Sequence, residues 1–371
     1  MEELFLSRQR QMQSLLQDTI YDLIVFNPSP TLFYLTGLSF HLMERPIIFL
    51  FPKTTDPIIF LPELELAKIG HLNFHLNVVT YGENPATWNS EFAKTLNYLN
   101  KKENLIIGIE ASHLRFLEFQ FLQSNFPSLE LKPADDLIAE IRLRKDDIEK
   151  EYIKQAIQIA EIGLENTLPF IKPGITEREI ASELVIQLIS HGSDPQLPFF
   201  PIVASGENSA NPHAEPSHRK IQSGDVLVID WGARYHGYIS DLTRTFVIGK
   251  SNPEINQVYN VVKKANEIGC QFVKPEIQCG EVDTIVRDYI TQQGFGDYFT
   301  HRTGHGIGLE THEEPYIRSD NSNVLKPRMT FTIEPGVYLP NKFGVRIEDN
   351  VYVTENNSEI LSKFPRELTI L

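Results

Sequence analysis

The sequence predicts an α/β protein of two domains, the second of which contains an internal pseudo-two-fold repeat. Three observations support this prediction. The chain has 371 residues, which is enough for two or three domains of about 150 residues. Short β-rich runs alternate with helical stretches over the first part of the chain. The second part repeats a loop, a helix and a hairpin segment at an offset near 102 residues.

The composition indicates a globular protein and excludes several function classes. Hydrophobic residues make up 41% and charged residues 22%, which rules out disorder and a coiled coil for the whole chain. A net charge of −15 argues against nucleic acid and against an anionic membrane surface as partners. The two cysteines, Cys270 and Cys279, are too few for a disulfide framework or a thiolate zinc site.

We expect a cytoplasmic protein, because the N-terminal stretch carries acids where a signal peptide needs positive charge. The apolar runs are of strand length and too short to cross a membrane.

The first domain is predicted to contain strands and helices in alternation. The predicted strands are Tyr21–Phe26, Ile47–Phe51, Pro57–Leu61, Asn77–Tyr81 and Leu105–Ile109, and the predicted helices are Thr87–Leu99 and Leu114–Phe121. No glycine-rich phosphate-binding motif is present, so a structural or oligomerisation role is expected for this domain.

A long helix is predicted at the start of the second domain, and the charged segment 142–150 opens it. Apolar residues recur there at every fourth position from Ile148 and Tyr152 onward. The repeat follows, because the segment 170–175 resembles the segment 272–277. Thr176 and Glu179 have the spacing of a capping box, which predicts the start of the helix in the first copy.

Each half of the repeat is predicted to present a pair of facing carboxylates on a hairpin. Asp230 and Asp241 are equidistant from a turn centred between residues 235 and 236. Glu334 and Glu348 are equidistant from position 341, inside the second turn. Residues that face each other across a hairpin point to the same side of the sheet, so each pair should repel.

If the two halves pack about a pseudo-two-fold axis, the four acids converge on one site. Four carboxylates suit two divalent cations, with some of the acids bridging. Arg244 and Arg346 are near in sequence and could instead compensate the acids, so spacing alone leaves both readings open. His305 lies between two glycines, and a neutral imidazole is a good ligand beside carboxylates.

These motifs together resemble those of the creatinase/aminopeptidase P/prolidase family. The matching segments are Val203-Ala-Ser-Gly-Glu-Asn-Ser-Ala-Asn-Pro-His213, the aspartate pair, Thr303-Gly-His-Gly-Ile-Gly-Leu309, His312-Glu-Glu-Pro315, Ile333-Glu-Pro-Gly-Val337 and Gly344-Val-Arg-Ile-Glu-Asp349. The resemblance implies a creatinase-type N-terminal α/β domain at residues 1–135. It implies a pita-bread α/β catalytic domain at residues 142–371.

The resemblance further implies two divalent metal ions per subunit. Mn²⁺ is the expected metal, and Co²⁺ or Zn²⁺ are the alternatives. The implied ligands are Asp230 for one ion, Asp241 and Glu348 as bridges, and His305 and Glu334 for the other ion. All five positions carry the ligand type that the family needs, which argues against a metal-free creatinase or binding protein. Other positions that match the lining of the family's active site are His213, His301, His312 and Arg346.

The implied function is metal-dependent hydrolysis of Xaa-Pro bonds near the N-terminus of peptides, by an Xaa-Pro aminopeptidase or dipeptidase that is commonly a homodimer. His213 or His312 would donate a hydrogen bond to the developing oxyanion or to the peptide. Glu334 would carry a proton toward the leaving nitrogen. Proline specificity rests on the resemblance alone.

One departure from the family concerns substrate length. Some dipeptide-specific members place an arginine directly after the His-Glu-x-Pro stretch, and this chain has Tyr316 there with Arg318 two residues further on. Either Arg318 or another cation binds the substrate carboxylate, or longer peptides are accepted, and we expect an aminopeptidase or a mixed activity.

Two other functions were weighed. A dinuclear phosphoesterase should carry a Lys or Arg cluster for phosphate, and the sequence has none near these motifs. A metal-binding or peptide-binding pseudoenzyme should have lost ligands, and none is lost here.

Overall fold

The structure is a computed structural model that describes residues 2–70, 72, 74–99, 104–126 and 128–371. The chain divides into two compact units, Met1–Arg142 and Leu143–Leu371, called unit 1 and unit 2 below. None of the helices that the described residues form is long and apolar enough to cross a membrane.

Unit 1 contains a mixed six-stranded sheet in the residues that the structure describes. Its strands are β1 (Leu23–Phe26), β2 (Ile48–Pro52), β3 (Ile58–Pro62), β4 (Asn77–Tyr81), β5 (Leu105–Ile109) and β6 (Leu129–Pro133). The order across the sheet is β4-β3-β2-β1-β5-β6. Strands β1, β5 and β6 run parallel, while β2 is antiparallel to both of its neighbours. The predicted α/β character of the first domain is therefore confirmed.

Helices cover the sheet of unit 1 and complete its apolar core. They are α1 (Glu2–Gln17), α2 (Pro30–Thr36), α3 (Leu66–Ile69), α4 (Pro85–Phe92), α5 (Phe116–Asn125) and α6 (Asp135–Leu143). The rings of Phe60, Phe92 and Phe121 pack together, with Phe92 at centroid distances of 5.2 and 5.8 Å from the other two. This aromatic cluster joins α4 and α5 to the middle of the sheet.

The predicted elements of this unit match the observed ones in part. The five predicted strands are present, with bounds that differ by at most two residues. The predicted helix Thr87–Leu99 is an α-helix only to Phe92 and continues as a 3₁₀ helix to Tyr98. The sequence analysis missed β6, α1, α2, α3 and α6.

Unit 2 begins with a pair of packed helices, and a second pair follows one hairpin later. The four helices are α7 (Asp147–Thr167), α8 (Glu177–Ser190), α9 (Pro253–Phe272) and α10 (Cys279–Gln292). Helix α7 packs on α8, and α9 packs on α10. Capping boxes open both α8 and α10, at Thr176 and Gln278, as the repeat predicts for the first of them.

The long helix differs from its prediction in where it begins and which face it buries. It starts at Asp147 behind an N-cap at Asp146, inside the charged segment that is predicted to open it. Ile148 is 42% exposed, although the spacing of four placed it on the apolar face. Ala156, Ala160 and Leu164 of the predicted series are buried, and Ile153 and Ile157 join them. An α-helix repeats every 3.6 residues, so a strict spacing of four drifts around it and its first member leaves the buried face.

The strands of unit 2 form two sheets and two short ribbons, all within fully described residues 143–371. One sheet has the order β19-β11-β8-β7 and the other β13-β12-β14-β17-β18. The strands are β7 (Ile202–Ser205), β8 (Val226–Trp231), β9 (Arg234–Tyr235), β10 (Tyr238–Ile239), β11 (Leu242–Val247), β12 (Gly304–Gly306), β13 (Glu313–Ile317), β14 (Thr330–Ile333), β15 (Gly336–Leu339), β16 (Phe343–Arg346), β17 (Asp349–Val353), β18 (Ser358–Ile360) and β19 (Thr369–Ile370). A bridge between Thr243 and Glu348 joins the two sheets.

The register of the first hairpin differs from the predicted one by two residues. Asp230 on β8 lies opposite Thr243 on β11, so it does not face Asp241 directly. The cause is a two-residue turn at His236 and Gly237, both of which have positive φ. Because side chains alternate with a period of two, Asp241 still shares the face of Thr243 and Asp230.

The register predicted for the second hairpin is confirmed. Gly336 pairs with Arg346 in the ribbon β15-β16, and Ile333 pairs with Asp349 in the adjoining ladder β14-β17. Both ladders are symmetric about Asn341. Glu334 and its partner at position 348 lie between them in the same register.

We predict that Phe92→Ala lowers the free energy of unfolding of unit 1 by about 3–5 kcal/mol, because the substitution empties a fully buried ring site. Phe116→Ala on α5 is the matched control, since that ring is 71% exposed, and we expect a change of less than about 0.5 kcal/mol. Urea unfolding followed by circular dichroism measures both. Equal effects in the two variants would contradict the assigned core.

Candidate metal centre

The four predicted carboxylates and His305 line one cavity in unit 2, with a volume of about 510 Å³. The ligand atoms of Asp241, His305 and Glu348 all lie within 4.8 Å of one another, and the three residues are buried. His305 Nε2 lies 3.2 Å from Glu334 Oε1 and 3.7 Å from Asp241 Oδ2. The structure thus brings the two halves of the repeat together at one point.

Strand ends and breaks between ladders place the acids. Asp230 is the penultimate residue of β8, and Asp241 directly precedes β11. Glu334 and Glu348 fill the break between the paired ladders, where their backbone N–H groups donate to Thr303 and Thr243. These backbone bonds fix both glutamates at the cavity, beside the aspartates of the first hairpin.

Two glycines allow the backbone on both sides of His305 to pack closely against β14 and β13. A Cβ at Gly304 would lie 1.8 Å from the carbonyl oxygen of Thr332, and one at Gly306 would lie 2.2 Å from that of Glu314. Any side chain at either position would push β12 away from β14 or β13. The glycines noted in the sequence therefore set the depth of the imidazole.

The electrostatics of the cluster are dominated by burial and by like charges. Burial, followed by the charges of Glu348 and Asp230, raises the pKa of Asp241 well above its ordinary value. Burial and the charges of Glu334 and Asp230 do the same to the pKa of Glu348. Burial also raises the pKa of Asp230, while Arg346 partly offsets it.

Glu334 differs from the other acids. Burial raises its pKa, but the hydrogen bond and the charge from His305 outweigh that effect, so that the pKa of Glu334 falls to about 2. This carboxyl group is therefore deprotonated at neutral pH.

Of the two arginines considered from the sequence, only Arg346 bonds to a side-chain carboxylate of these acids, whereas Arg244 reaches only the backbone carbonyl of Glu348. Its Nη2 donates to Asp230 Oδ2 at 2.5 Å, and its Nη1 donates to Tyr338 Oη at 2.9 Å. Arg244 pairs instead with Asp349 at 2.8 Å. One guanidinium offsets one of the four carboxylates and leaves the others in excess.

Two threonine hydroxyls, one from each half, support the two glutamates of the second half. Thr243 Oγ1 donates to Glu348 Oε2 at 2.7 Å, and Thr332 Oγ1 donates to Glu334 Oε1 at 3.3 Å. Thr332 also accepts from the backbone N–H of His305 at 3.1 Å. The sequence analysis missed both threonines, although each is two residues from an acid and so on the same face of its strand.

The donor set fits divalent cations. Carboxylate oxygens and one imidazole nitrogen are ligands that Mn²⁺, Co²⁺ and Zn²⁺ accept. Asp230 Oδ1 is buried and has no hydrogen-bond partner among the described residues, so it can coordinate a cation without losing a hydrogen bond. The residues present therefore fit a metal centre.

The predicted substrate-contacting residues surround this cluster. The lining of the cavity includes His213, His301, His312 and Arg346. The ring of His312 lies 4.2 Å from that of His305, edge to face, and His301 Nε2 lies 2.9 Å from Tyr338 Oη. His213 is exposed on the loop that follows β7.

The cavity also contains residues that the sequence analysis did not identify. They are Phe199, Phe200, Ile202, Arg302 and Thr311. Arg302 is half-buried and lies over the ring of Tyr316, 4.5 Å from its centroid. Arg318 is not among the lining residues, and it pairs with Asp320 at the surface. The position of Arg302 beside His301 was the only signal for it in the sequence.

Comparison with known proteins agrees with this geometry. Residues 151–355 match the profile of metallopeptidase family M24, and residues 8–144 match that of the creatinase/prolidase N-terminal domain. An uncharacterized peptidase of Staphylococcus epidermidis is 34% identical over 96% of this chain and 99% of its own length.

Two solved structures share the architecture over nearly the whole chain. A dipeptidase from Pyrococcus horikoshii is 39% identical, with a TM-score of 0.92, over 98% of this chain and all of its own. A prolidase from Thermococcus sibiricus is 35% identical, with a TM-score of 0.93, over 99% of both chains. The expected creatinase-type and pita-bread folds are thereby confirmed, and the chain belongs to metallopeptidase family M24.

Proposed function

We propose that this metallopeptidase hydrolyses Xaa-Pro peptide bonds at the N-terminus of short peptides, using two divalent cations. The observation that carries the proposal is the convergence of four carboxylates and His305 in one cavity large enough for a short peptide. The names of the two similar structures, a dipeptidase and a prolidase, support the choice of substrate class.

In this proposal the ligands are shared as the family resemblance implies. Asp230 would hold one cation, His305 and Glu334 would hold the other, and Asp241 and Glu348 would serve both. We propose Mn²⁺ as the native metal, with Co²⁺ or Zn²⁺ as alternatives, because hard carboxylates outnumber the single imidazole.

The residues of the chain then carry the proton and bind the peptide. Divalent cations supply Lewis-acid activation of water and of the scissile carbonyl. Glu334 is deprotonated, so it can accept a proton from water and pass it to the leaving imide nitrogen of proline. His213 and His312, both at the cavity wall, donate hydrogen bonds to the developing oxyanion or to the peptide.

We further propose that Arg302 binds the free carboxylate of a dipeptide. Its guanidinium lies at the cavity wall, and Arg346 is already bonded to Asp230 and Tyr338. Arg318, the first candidate from the sequence, is 58% exposed and paired with Asp320. This arrangement favours dipeptides, whereas the sequence alone favoured an aminopeptidase or a mixed activity.

The domain bounds, the partners, the oligomeric state and the cellular location are also proposals. We propose residues 1–135 as the N-terminal domain and residues 142–371 as the catalytic domain. Peptides with proline at the second position are the proposed partners, and the homodimer and the cytoplasmic location remain to be tested.

The alternative function is a metal-binding or peptide-binding pseudoenzyme on the same fold. It predicts that the protein binds metal and peptide with no turnover. The intact ligand set argues against it.

We predict that His305→Ala and Glu348→Ala each lower the hydrolysis of an Xaa-Pro dipeptide by more than about 100-fold, because each removes a metal ligand. His218→Ala and Glu355→Ala, at exposed positions, are the matched controls and should retain full activity. Circular dichroism should show an unchanged fold in all four variants. Substantial activity in both ligand variants would reject the assignment.

A second prediction concerns metal removal. Exhaustive chelation should abolish turnover, and added Mn²⁺ or Co²⁺ should restore it, because the carboxylate cluster has no other source of Lewis acid. Metal content measured by mass spectrometry controls for incomplete removal. Turnover that persists in verified metal-free protein would contradict a metal-dependent reaction.

A third prediction tests Arg302. Arg302→Met should raise KM for an Xaa-Pro dipeptide about 10- to 100-fold with little change in kcat, since a charge-assisted hydrogen bond is lost equally in the ground and transition states. The matched substrate is the Xaa-Pro amide, which lacks the carboxylate and should be unaffected. A panel with Xaa-Pro-Yaa, a peptide without proline and a phosphodiester completes the specificity test. Equal effects on dipeptide and amide would exclude carboxylate binding by Arg302.

A further inference from the structure

The loop that carries His213 is closed at its base by one buried carboxylate. This loop, residues 206–216, leaves β7 after Ser205 and ends before Ser217. Glu177, the first residue of α8, is 0% exposed and lies between the two ends of the loop.

Both oxygens of Glu177 accept hydrogen bonds, one from each end. Oε1 accepts from the backbone N–H and the hydroxyl of Ser205, both at 2.7 Å. Oε2 accepts from the backbone N–H of Ser217 at 3.1 Å and from its hydroxyl at 2.6 Å. Asn208 Nδ2, from within the loop, lies 3.1 Å from both oxygens.

The chemistry of this position requires a carboxylate. Every group that faces Glu177 is a donor, so both of its oxygens must accept. An amide would turn its own N–H₂ group toward donors on one side and open that end of the loop. The N-terminus of the 14-residue helix α8 further stabilises the negative charge.

The far end of the loop is attached to the hairpin of the metal centre. Pro212 O accepts from Arg346 Nη1 at 3.2 Å, and Ser209 Oγ accepts from the backbone N–H of Gly344 at 2.9 Å. Pro212 and His213 line the same cavity as the acids. Glu177 therefore holds the loop at its base while the hairpin holds it near the tip.

We propose that Glu177 is a positioning residue for the hydrolytic reaction. It fixes both ends of the loop and so places His213 against the substrate, without touching substrate or metal itself. This inference rests on the proposed function. It adds to that function a residue that lies 28 positions in the sequence before Ser205 and 40 before Ser217, the two ends of the loop.

A double-mutant cycle tests whether Glu177 acts through His213. We expect Glu177→Gln to lower kcat/KM for an Xaa-Pro dipeptide about 10- to 100-fold, and to have little further effect in a His213→Ala background. Metal affinity measured by calorimetry should change less than about threefold, because no ligand moves. Glu165→Gln, an exposed carboxylate on α7, is the matched control and should behave as wild type.

Three results would overturn the inference. They are an unchanged kcat/KM in Glu177→Gln, full additivity with His213→Ala, and a loss of metal affinity that parallels the loss of activity. The last result would indicate a purely structural role.

Hydrogen exchange keeps the inference testable if Glu177→Gln does not fold or if the wild type does not hydrolyse Xaa-Pro. Ser217→Ala removes one hydroxyl donor at one end of the loop. We expect faster amide exchange in residues 206–216 and an unchanged exchange rate around Asp241. Unchanged exchange would refute the clamp. An inactive wild type with the expected exchange pattern would refute the proposed function and the catalytic part of this inference, and would leave the clamp itself supported.

Discussion

The repulsion between buried carboxylates is the constraint on which unit 2 depends. Four acids share one cavity, and a single guanidinium, that of Arg346, offsets one of them. Such a cluster is costly unless cations enter it and the surrounding scaffold prevents the acids from moving apart. The scaffold meets the second condition with neutral donors. Thr243 from the first half and Thr332 from the second hold the carboxylates of Glu348 and Glu334 without cancelling their charge.

The two halves of unit 2 place their functional groups in the same way. Strand ends and ladder breaks hold the acids, and loops at the cavity wall carry the groups that face the peptide. A helix in each half anchors one of these loops through a buried carboxylate. Glu177 on α8 holds Ser205 and Ser217, while Asp283 on α10 accepts from the N–H and hydroxyl of Thr303 at 3.0 and 2.7 Å. The repeat seen in the sequence is thus also a repeat of supporting interactions.

The hairpins and the acids could be predicted because their signals are local in the sequence. Contacts between residues far apart in the sequence could not be predicted. The first hairpin was misjudged by two residues because its turn at His236 and Gly237 is centred one residue later than predicted, but an even error keeps the acids on one face. Helix α2 was missed although Ser29 before a proline is an N-cap signal. Nothing near Glu177 or Arg302 in the sequence shows what they contact, because their partners are brought together only by the fold.

The shared register on both sides of Glu334 and Glu348 limits how such chains can change in length. Inserting or deleting one residue within β15 or β16 would turn the side chains between that point and the ladder break to the opposite face and turn one glutamate away from the cavity. A change of two residues, or a compensating bulge, would preserve the pair. The loop around Asn341 can change in length without moving either glutamate, so the ribbon tolerates an altered tip but not a shifted stem.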